Sequence, residues 1–384
     1  MSVYVHIPFC RSKCHYCGFY SLASSTRKEA FLPALEREME LRTAYLGKTV
    51  PETLYLGGGT PSFLSIPELE RVVSALHKHY AFPVGTERTL EANPEDLTPD
   101  RLGAWKALGF NRLSIGIQTF DDAVLKRIGR SHSAAQAIAG LEQVAAAGYE
   151  NVSVDLILGL PGSASAHVWA DLELLDRFPV SHLSVYMLGI DPGSVFEKQQ
   201  AAGKLSLPAE EETVALFLHV SERLKERGFE HYEISNFARN QAYSRHNTRY
   251  WQQKPYLGLG PSAHSYDGAS RQWNSSRLNT YIDSLNKGIL IFEREELTCF
   301  DRYNEYVMTS LRTMWGAEWD VFKNTPGDIA PNQEERLAFY IENDWAKKEA
   351  GRFILTEAGW LVSDRIFSEL FVVGDAASGG GKKE

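Results

Sequence analysis

The segment Val3-Tyr4-Val5-His6-Ile7-Pro8-Phe9-Cys10-Arg11-Ser12-Lys13-Cys14-His15-Tyr16-Cys17 (residues 3–17) joins a strand-like apolar run to three cysteines in Cys-x3-Cys-x2-Cys spacing. They are three of only four cysteines among 384 residues. Three thiolates on one short loop can each bind one iron of a cubane cluster, which leaves the fourth iron without a protein ligand. The segment therefore predicts a [4Fe-4S] cluster at Cys10, Cys14 and Cys17, with one iron open to a small molecule.

Three other interpretations of these thiols are open. A structural zinc site usually has four protein ligands; Cys299 lies almost the whole domain away, and His15 is the nearer residue that would complete a zinc set. A disulfide framework is typical of small secreted chains with an even set of cysteines, whereas this chain is long, acidic and poor in cysteine. The third alternative is three buried thiols that bind nothing.

The composition is that of a globular protein. With 43% hydrophobic and 11% aromatic residues, the chain can bury a large core, and its length predicts one large domain and a smaller one. A net charge of -9 argues against a nucleic-acid groove, because phosphate contacts need a positive surface. No apolar run approaches the roughly 20 residues of a spanning helix, and the N-terminus has no signal-peptide pattern. We therefore expect a cytoplasmic protein with reduced thiols.

Short apolar runs alternate with longer amphipathic stretches along most of the chain. The candidate strands are 4–7, 53–56, 89–91, 113–116, 152–158 and 182–187. The candidate helices are 27–46, 66–80, 99–108, 134–147, 164–177 and 210–227. Pro67 lies at the start of the second candidate helix, and Gly109 and Gly148 lie just after the ends of the third and fourth, as is typical of helix starts and ends. Regular alternation predicts an α/β fold of parallel strands with helical crossovers, either a barrel or a doubly wound sheet.

Polar residues and glycines follow the predicted strands at their carboxyl ends, where parallel barrels carry their functional residues. Gly57-Gly58-Gly59-Thr60-Pro61 would let backbone groups approach a ligand closely. Glu91 ends the third strand, where it could accept hydrogen bonds from an ammonium or a ribose. Gln118 ends the fourth strand. Asp155 lies in an apolar run, where a carboxylate is costly unless paired, and Arg130 could supply the positive charge.

The cysteine spacing followed by the glycine motif resembles the radical S-adenosylmethionine superfamily. This resemblance implies a partial (β/α)6 TIM-like barrel in which the amino and carboxylate groups of S-adenosylmethionine bind the open iron. Residues that match the family's positions for this molecule are Tyr4, Tyr16, Gly58, Gly59, Thr60 and Glu91. Within the superfamily the chain is similar to the coproporphyrinogen dehydrogenase-like branch. There, Gln118, Arg130 and Asp155 match positions that surround a second S-adenosylmethionine.

Two features distinguish subfamilies of this branch. The dehydrogenases have an additional cysteine two residues after the third ligand, where this chain has Phe19. The segment His246-Asn247-Thr248-Arg249-Tyr250-Trp251 resembles the His-Asn-x-x-Tyr-Trp motif of the HemW heme chaperones. In that interpretation His246 binds heme iron, the two aromatic rings face the porphyrin, and Arg245 and Arg249 pair with propionates. The alternative is a polar loop in which His246 caps a turn and both rings pack on the core.

The C-terminal third has a different pattern. Candidate helices at 302–315, 333–348 and 360–371, with an apolar strand and turn at 353–359, predict a small α+β winged-helix-like domain. Because basic residues do not cluster there, a lid or a docking surface is the favoured role.

The predicted division is a radical SAM barrel at 1–235, a heme-motif and connecting region at 236–300, the winged-helix-like domain at 301–375 and a disordered tail at 376–384. The resemblance implies a heme chaperone that carries a [4Fe-4S] cluster with exchangeable S-adenosylmethionine and transfers heme to an acceptor protein. A membrane-bound respiratory enzyme is one candidate acceptor, reached by peripheral association with the membrane. The alternative function is oxygen-independent decarboxylation of coproporphyrinogen III, and a third is an unrelated radical enzyme in which His246 is structural.

Overall fold

Six parallel strands in chain order form the centre of the structure, a computed structural model that describes residues 1–47, 49–326 and 330–374. They are β1 (Ser2–Ile7), β2 (Thr53–Gly58), β3 (Glu87–Ala92), β4 (Arg112–Gln118), β5 (Asn151–Leu158) and β6 (His182–Met187). Each strand pairs in parallel with the next. All six carboxyl ends therefore lie along one edge, and the three cysteines follow the first of them.

Helices cross over between these strands. They are α1 (Lys28–Leu41), α2 (Ile66–His79), α3 (Pro99–Ala107), α4 (Asp122–Arg127), α5 (Ala134–Ala146), α6 (Ser165–Leu175), α7 (Val195–Ala201) and α8 (Glu210–Glu226). Capping boxes begin α2 at Ser65 and α5 at Ser133. On β4, Leu113 and Ile115 belong to the core shared with these helices, whereas Arg112 and Ser114 line an interior cavity. The strands therefore separate an apolar layer from a polar interior.

Further strands extend the sheet on both sides. They are β7 (Glu230–Glu233), β8 (Asn236–Ala238), β9 (Tyr256–Leu259), β10 (His264–Tyr266), β11 (Ser270–Asn274) and β12 (Phe292–Glu296). Strand β9 pairs in parallel with β1, and β8 pairs antiparallel with β6. In the described residues the sheet runs from β12 to β7 without closing, which confirms the predicted partial barrel.

A short helix, α9 (Arg245–Trp251), lies at the amino ends of β2 and β3. The backbone N–H of His246 donates to Glu87 Oε1 at 2.9 Å, and the side chains of Thr53 and His246 form a 2.8 Å hydrogen bond. The helix therefore lies at the end of the barrel opposite the cysteines, here called the floor. Helix α10 (Leu278–Asn286) packs outside the barrel on α1.

The C-terminal unit has its own apolar core and a three-stranded antiparallel sheet. It contains α11 (Cys299–Leu311), β13 (Ala317–Glu318), α12 (Trp319–Lys323), α13 (Ala330–Glu342), β14 (Ala346–Glu349), β15 (Arg352–Leu355), α14 (Glu357–Leu361) and α15 (Ser363–Leu370). Arg312 joins this unit to the barrel, because it pairs with buried Glu233 at 2.9 Å and lies 4.0 Å from the ring centre of Trp251. The predicted small α+β unit is therefore present.

Some predicted bounds differ from the structure. The helix predicted at 333–348 ends at Glu342, because Asp344 has a φ of +58° and the chain then enters β14. The tail predicted at 376–384 lies outside the described residues. The division at 235/236 stays a prediction, and β8 to β12 continue the barrel sheet beyond it. No helix in the described part of the chain is long and apolar enough to cross a membrane.

Candidate functional site

The cysteine loop is held over the carboxyl ends of the strands by its backbone. Leu22 N–H donates to Pro8 carbonyl at 2.8 Å, and Cys10 N–H donates to Leu22 carbonyl at 3.0 Å, so the loop closes on itself. At its far side Gly18 N–H donates to Asp191 Oδ2 at 2.8 Å. These contacts fix a loop that has little secondary structure of its own.

All three predicted cluster ligands, Cys10, Cys14 and Cys17, line the same cavity as free thiols. Burial raises the pKa of Cys10 and of Cys17. At Cys10 the hydroxyl of Thr60 opposes this effect, since Thr60 Oγ1 lies 3.4 Å from Cys10 Sγ; Arg130 Nη1 lies 3.5 Å from Cys14 Sγ. A hydroxyl and a guanidinium are therefore placed to stabilise thiolate ligands.

The thiols fit a multi-iron cluster better than a single metal ion. Within the described ranges, no three His, Cys, Asp or Glu side chains converge on one ion, whereas a cubane needs each thiolate on a different iron. The His15 ring is bound elsewhere, with Nδ1 2.8 Å from Arg127 carbonyl, and Cys299 is exposed on α11. The zinc and disulfide alternatives are therefore not supported by the geometry.

The glycine motif ends β2 beside the loop. A Cβ atom on Gly58, where φ is +106°, would lie 2.5 Å from the His6 ring, and one on Gly59 would lie 2.7 Å from the Phe9 carbonyl oxygen. We expected these glycines to admit a ligand. The structure gives an additional reason for them, because they let β2 pack directly against the end of β1 that carries the cysteines.

Glu91 lies beside this motif with both oxygens engaged. Tyr55 Oη donates to Oε1 at 2.7 Å, and Gly58 N–H donates to Oε2 at 3.1 Å. Burial raises the pKa of Glu91 to about 7, although these two donors favour the ionised form. A ligand ammonium at this position would add a positive charge and hold the carboxylate ionised.

Gln118, Arg130 and Asp155 also line the cavity; Arg130 forms no direct ion pair with Asp155, but its charge opposes the effect of burial on the pKa of that carboxyl. Arg130 donates to Asn93 Oδ1 at 2.8 Å and to the Gly116 carbonyl. Asp155 Oδ1 and Gln118 Oε1 have no hydrogen-bond partner among the described residues. Burial raises the pKa of Asp155 to about 6. These unpaired atoms are available to a ligand.

The remaining predicted aromatic positions differ in placement. Tyr16 lines the cavity, and burial raises its pKa, so the phenol stays neutral. Phe19 also lines the cavity and is 70% exposed at its mouth. Tyr4 does not line it, and its hydroxyl lies 3.1 Å from His6 Nδ1.

The cavity has a volume of about 410 Å³ and extends from the cysteine loop to the floor of the barrel. Four polar residues that line its deep end were missed in the sequence, namely Arg112, Ser153, His182 and Asn247. The alternation of polar and apolar residues along β4, β5 and β6 was a signal that could have found the first three.

Comparisons with known proteins agree with this geometry. Residues 4–175 match the model of the radical SAM superfamily. The heme chaperone HemW of Bacillus subtilis is 34% identical over 95% of this chain and 98% of its own length. The chain belongs to the HemW family. The HemW protein of Mycobacterium tuberculosis is 30% identical over 96% of this chain and 94% of its own length.

A solved structure shows the same fold. The radical SAM enzyme coproporphyrinogen III oxidase (HemN) of Escherichia coli superposes with a TM-score of 0.82, at 23% identity, over 97% of this chain and 90% of that chain. The radical SAM family implies a [4Fe-4S] cluster and S-adenosylmethionine. The cavity described above, with three thiols, two unpaired polar atoms and the glycine motif at its rim, fits both groups.

The HemW-type motif at 246–251 forms helix α9 rather than a loop. His246 is 1% exposed, and its ring nitrogens bond to Thr53 Oγ1 at 2.8 Å and Tyr250 Oη at 2.9 Å. Burial, with Arg112 and Arg249 nearby, lowers the pKa of His246 to about 3. In this arrangement neither nitrogen is free for an iron, and the ring lies at the opposite end of the barrel from the cysteines.

The arginines beside the motif are also engaged. Arg249 pairs with Glu52 at 2.7 Å, and Arg245 donates to the Gly85 carbonyl at 2.9 Å. Their predicted pairing with propionates, like the predicted role of His246 as an iron ligand, therefore requires that existing contacts be broken. Asn247 is the residue of this motif that reaches the cavity.

Proposed function

We propose that this protein binds heme and transfers it to an acceptor protein, and that it carries a [4Fe-4S] cluster with exchangeable S-adenosylmethionine. The main support is similarity along almost the full chain to proteins named as heme chaperones. Phe19 agrees with this, because a phenylalanine at the cavity mouth has no thiol and cannot donate a hydrogen atom as the cysteine of the dehydrogenases could.

Each cofactor has candidate ligands in the cavity. Cys10, Cys14 and Cys17 would hold the cluster, and Glu91 would accept the ammonium group of S-adenosylmethionine. When bound, the cluster would supply an iron without a protein ligand. Asp155 has an unpaired oxygen that could accept from a ribose hydroxyl.

The favoured place for the porphyrin is the apolar mouth, with its propionate edge directed into the cavity. Phe19, Tyr186 and Met187 all line the cavity and are exposed. Flat, apolar rings bury large areas against such side chains, so a porphyrin would gain binding energy without a change in the barrel. His246 is not among the heme contacts that we propose for this conformation.

The test is anaerobic reconstitution with iron and sulfide, followed by titration with heme. We expect about four irons per chain, a heme absorbance band that saturates, and passage of the bound heme to apomyoglobin as a general acceptor. Substitution Phe19→Asp should weaken heme binding without changing the iron content, whereas Ser12→Asp at the same rim is the control that adds the same single charge.

Two results would contradict the proposal. One is the absence of a saturable heme band in protein that holds its full cluster. The other is the formation of protoporphyrinogen from coproporphyrinogen in an anaerobic assay with reductant and S-adenosylmethionine, which would favour the dehydrogenase alternative. Product analysis in the same assay would also detect unrelated radical chemistry.

A further inference from the structure

Arg112 is a buried cation for which the structure provides no anionic partner. It begins β4, is 2% exposed and points into the barrel, where it lines the deep end of the cavity. Its Nε has no hydrogen bond, and among the described residues no carboxylate oxygen lies within 4.0 Å of its guanidinium. A buried guanidinium without a partner is costly, because it has lost its hydration without compensation.

The carboxyl groups that share the cavity form no direct ion pair with Arg112. Burial raises the pKa of Glu91 to about 7 and of Asp155 to about 6, and the charge of Arg112 opposes this rise from a distance, but neither carboxylate lies within 4.0 Å of the guanidinium. Burial lowers the pKa of His182 and of His246, so both rings are neutral. Arg112 is therefore the fixed positive charge at this end of the cavity.

Neutral polar residues line the same cavity as this cation. Asn247 reaches the cavity from the floor helix α9, and Ser153 lines it from β5. Ser153 Oγ is bonded to His182 Nδ1 at 2.8 Å, and His182 Nε2 is bonded to Tyr232 Oη at 2.8 Å, so the wall behind the guanidinium is fixed. A guanidinium and an amide that line one cavity can both donate hydrogen bonds to a carboxylate.

We propose that Arg112 and Asn247 form a carboxylate-binding subsite at the floor of the cavity, and that a propionate of the porphyrin occupies it. This inference rests on the proposed function and names the part of the ligand that the floor recognises. It also assigns a role to the HemW-type motif in which Asn247, rather than His246, contacts the ligand. The other carboxylate that enters this cavity belongs to S-adenosylmethionine, and the experiment separates the two sources.

The test compares heme with heme dimethyl ester, which lacks both free carboxylates, on the reconstituted full-length protein. A charge-assisted hydrogen bond in a buried site contributes roughly 1.5–3 kcal/mol, which corresponds to a dissociation constant about 10-fold to 100-fold weaker when it is lost. We expect that loss for the ester on the parent protein and for heme on Arg112→Gln. The ester should bind Arg112→Gln and the parent within about threefold of each other.

Three variants complete the design. Asn247→Ala should weaken heme by about tenfold, and Arg112→Lys should recover part of the affinity that Arg112→Gln loses. Arg88→Gln is the matched control, because Arg88 lies on the neighbouring strand near the same end of the barrel but donates to the carbonyls of Leu108 and Phe82 outside the cavity. S-adenosylmethionine affinity, measured by calorimetry on each variant, should be unchanged.

Each outcome decides a separate point. If the parent binds no heme, the proposed function fails, and the subsite fails with it. If the parent binds heme and its ester equally, or if Arg112→Gln binds heme as the parent does, only the subsite is refuted. If Arg112→Gln weakens S-adenosylmethionine and leaves heme unchanged, the carboxylate is that of S-adenosylmethionine, and our assignment to a propionate is wrong. The ester measurement on the parent decides the question even if Arg112→Gln does not fold.

Discussion

Replacing His246 by alanine should destabilise the whole barrel before it affects any ligand. The imidazole bonds to Thr53 Oγ1 at 2.8 Å and to Tyr250 Oη at 2.9 Å, and its ring centre lies 4.9 Å from that of Tyr55. Alanine removes both hydrogen bonds and leaves two hydroxyls without partners inside the protein. Each such group costs roughly 1–3 kcal/mol, so we expect a loss of about 3–5 kcal/mol in the free energy of unfolding once the cavity is included.

The assay is denaturant unfolding of the cluster-free protein, followed by fluorescence at several pH values. His219→Ala is the matched control, since His219 is exposed on α8 and alanine favours helices; its stability should stay within about 0.5 kcal/mol of the parent. A His246→Ala protein with the stability of the parent but without heme binding would refute this reasoning and support a direct bond from His246 to iron.

The pKa of His246 also predicts how the stability of the protein depends on pH. The folded-state pKa of His246 is about 3, below the ordinary value of about 6.5, so the unfolded chain binds an additional proton between these values. The stability that this residue contributes is complete above pH 6.5 and is lost as the pH falls towards 3. His246→Gln should therefore show a flatter dependence of unfolding free energy on pH, by up to about 1.4 kcal/mol per pH unit in this window. Equal slopes for parent and variant would contradict the buried neutral imidazole.

Three further predictions concern the cluster, the glycine motif and the C-terminal unit. Cys14→Ala should abolish the brown cluster absorbance and lower the iron content to near zero, whereas Cys299→Ala, at an exposed thiol, should retain about four irons per chain. Equal iron contents in the two variants would show that the cysteine loop does not bind the cluster. Gly58→Ala should cost about 2 kcal/mol or more of stability, because φ is +106° and the new Cβ would lie 2.5 Å from the His6 ring. Gly103→Ala in α3 is the control, since its Cβ meets no atom within 4 Å. In thermal unfolding this control should be neutral or stabilising. Arg312→Ala removes the cation that pairs with the buried carboxylate of Glu233 and should lower the free energy of unfolding by about 3 kcal/mol, measured by denaturant unfolding. A change below about 0.5 kcal/mol would show that this ion pair does not stabilise the protein.

The central α/β layers could be predicted because their signals are local. Apolar runs, helix caps and glycines after helices lie within a few residues of the elements that they define, and all six predicted parallel strands are present. The strands from β7 to β12 were missed. Strand β12 is exposed along its whole length and has no buried alternation, so its pairing with β11 depends on neighbours that the local sequence does not reveal.

The site was predicted in part for the same reason. The three cysteines and the glycine motif are contiguous patterns, whereas the floor of the cavity depends on which strand face turns inward. Along β4, Arg112, Ser114 and Gly116 alternate with apolar residues, which is a readable sign of a polar interior. Ser244, directly before the HemW-type motif, is a residue type that favours helix N-caps, and in the structure its hydroxyl accepts from Asn247 N–H. That the helix closes the floor could be learned only from the structure.

The position of β1 between β2 and β9 has a consequence for the order in which the protein is made. Pairing with β2 becomes possible once residues 53–58 have been synthesised, but pairing with β9 must wait for residues 256–259. Until then β1 is an edge strand, and the cysteine loop at its end is attached on one side only. The cysteine segment is thus made well before the strand that completes its support, so iron should be loaded most efficiently after β9 has been made, and truncation before β9 should yield protein that cannot retain a cluster.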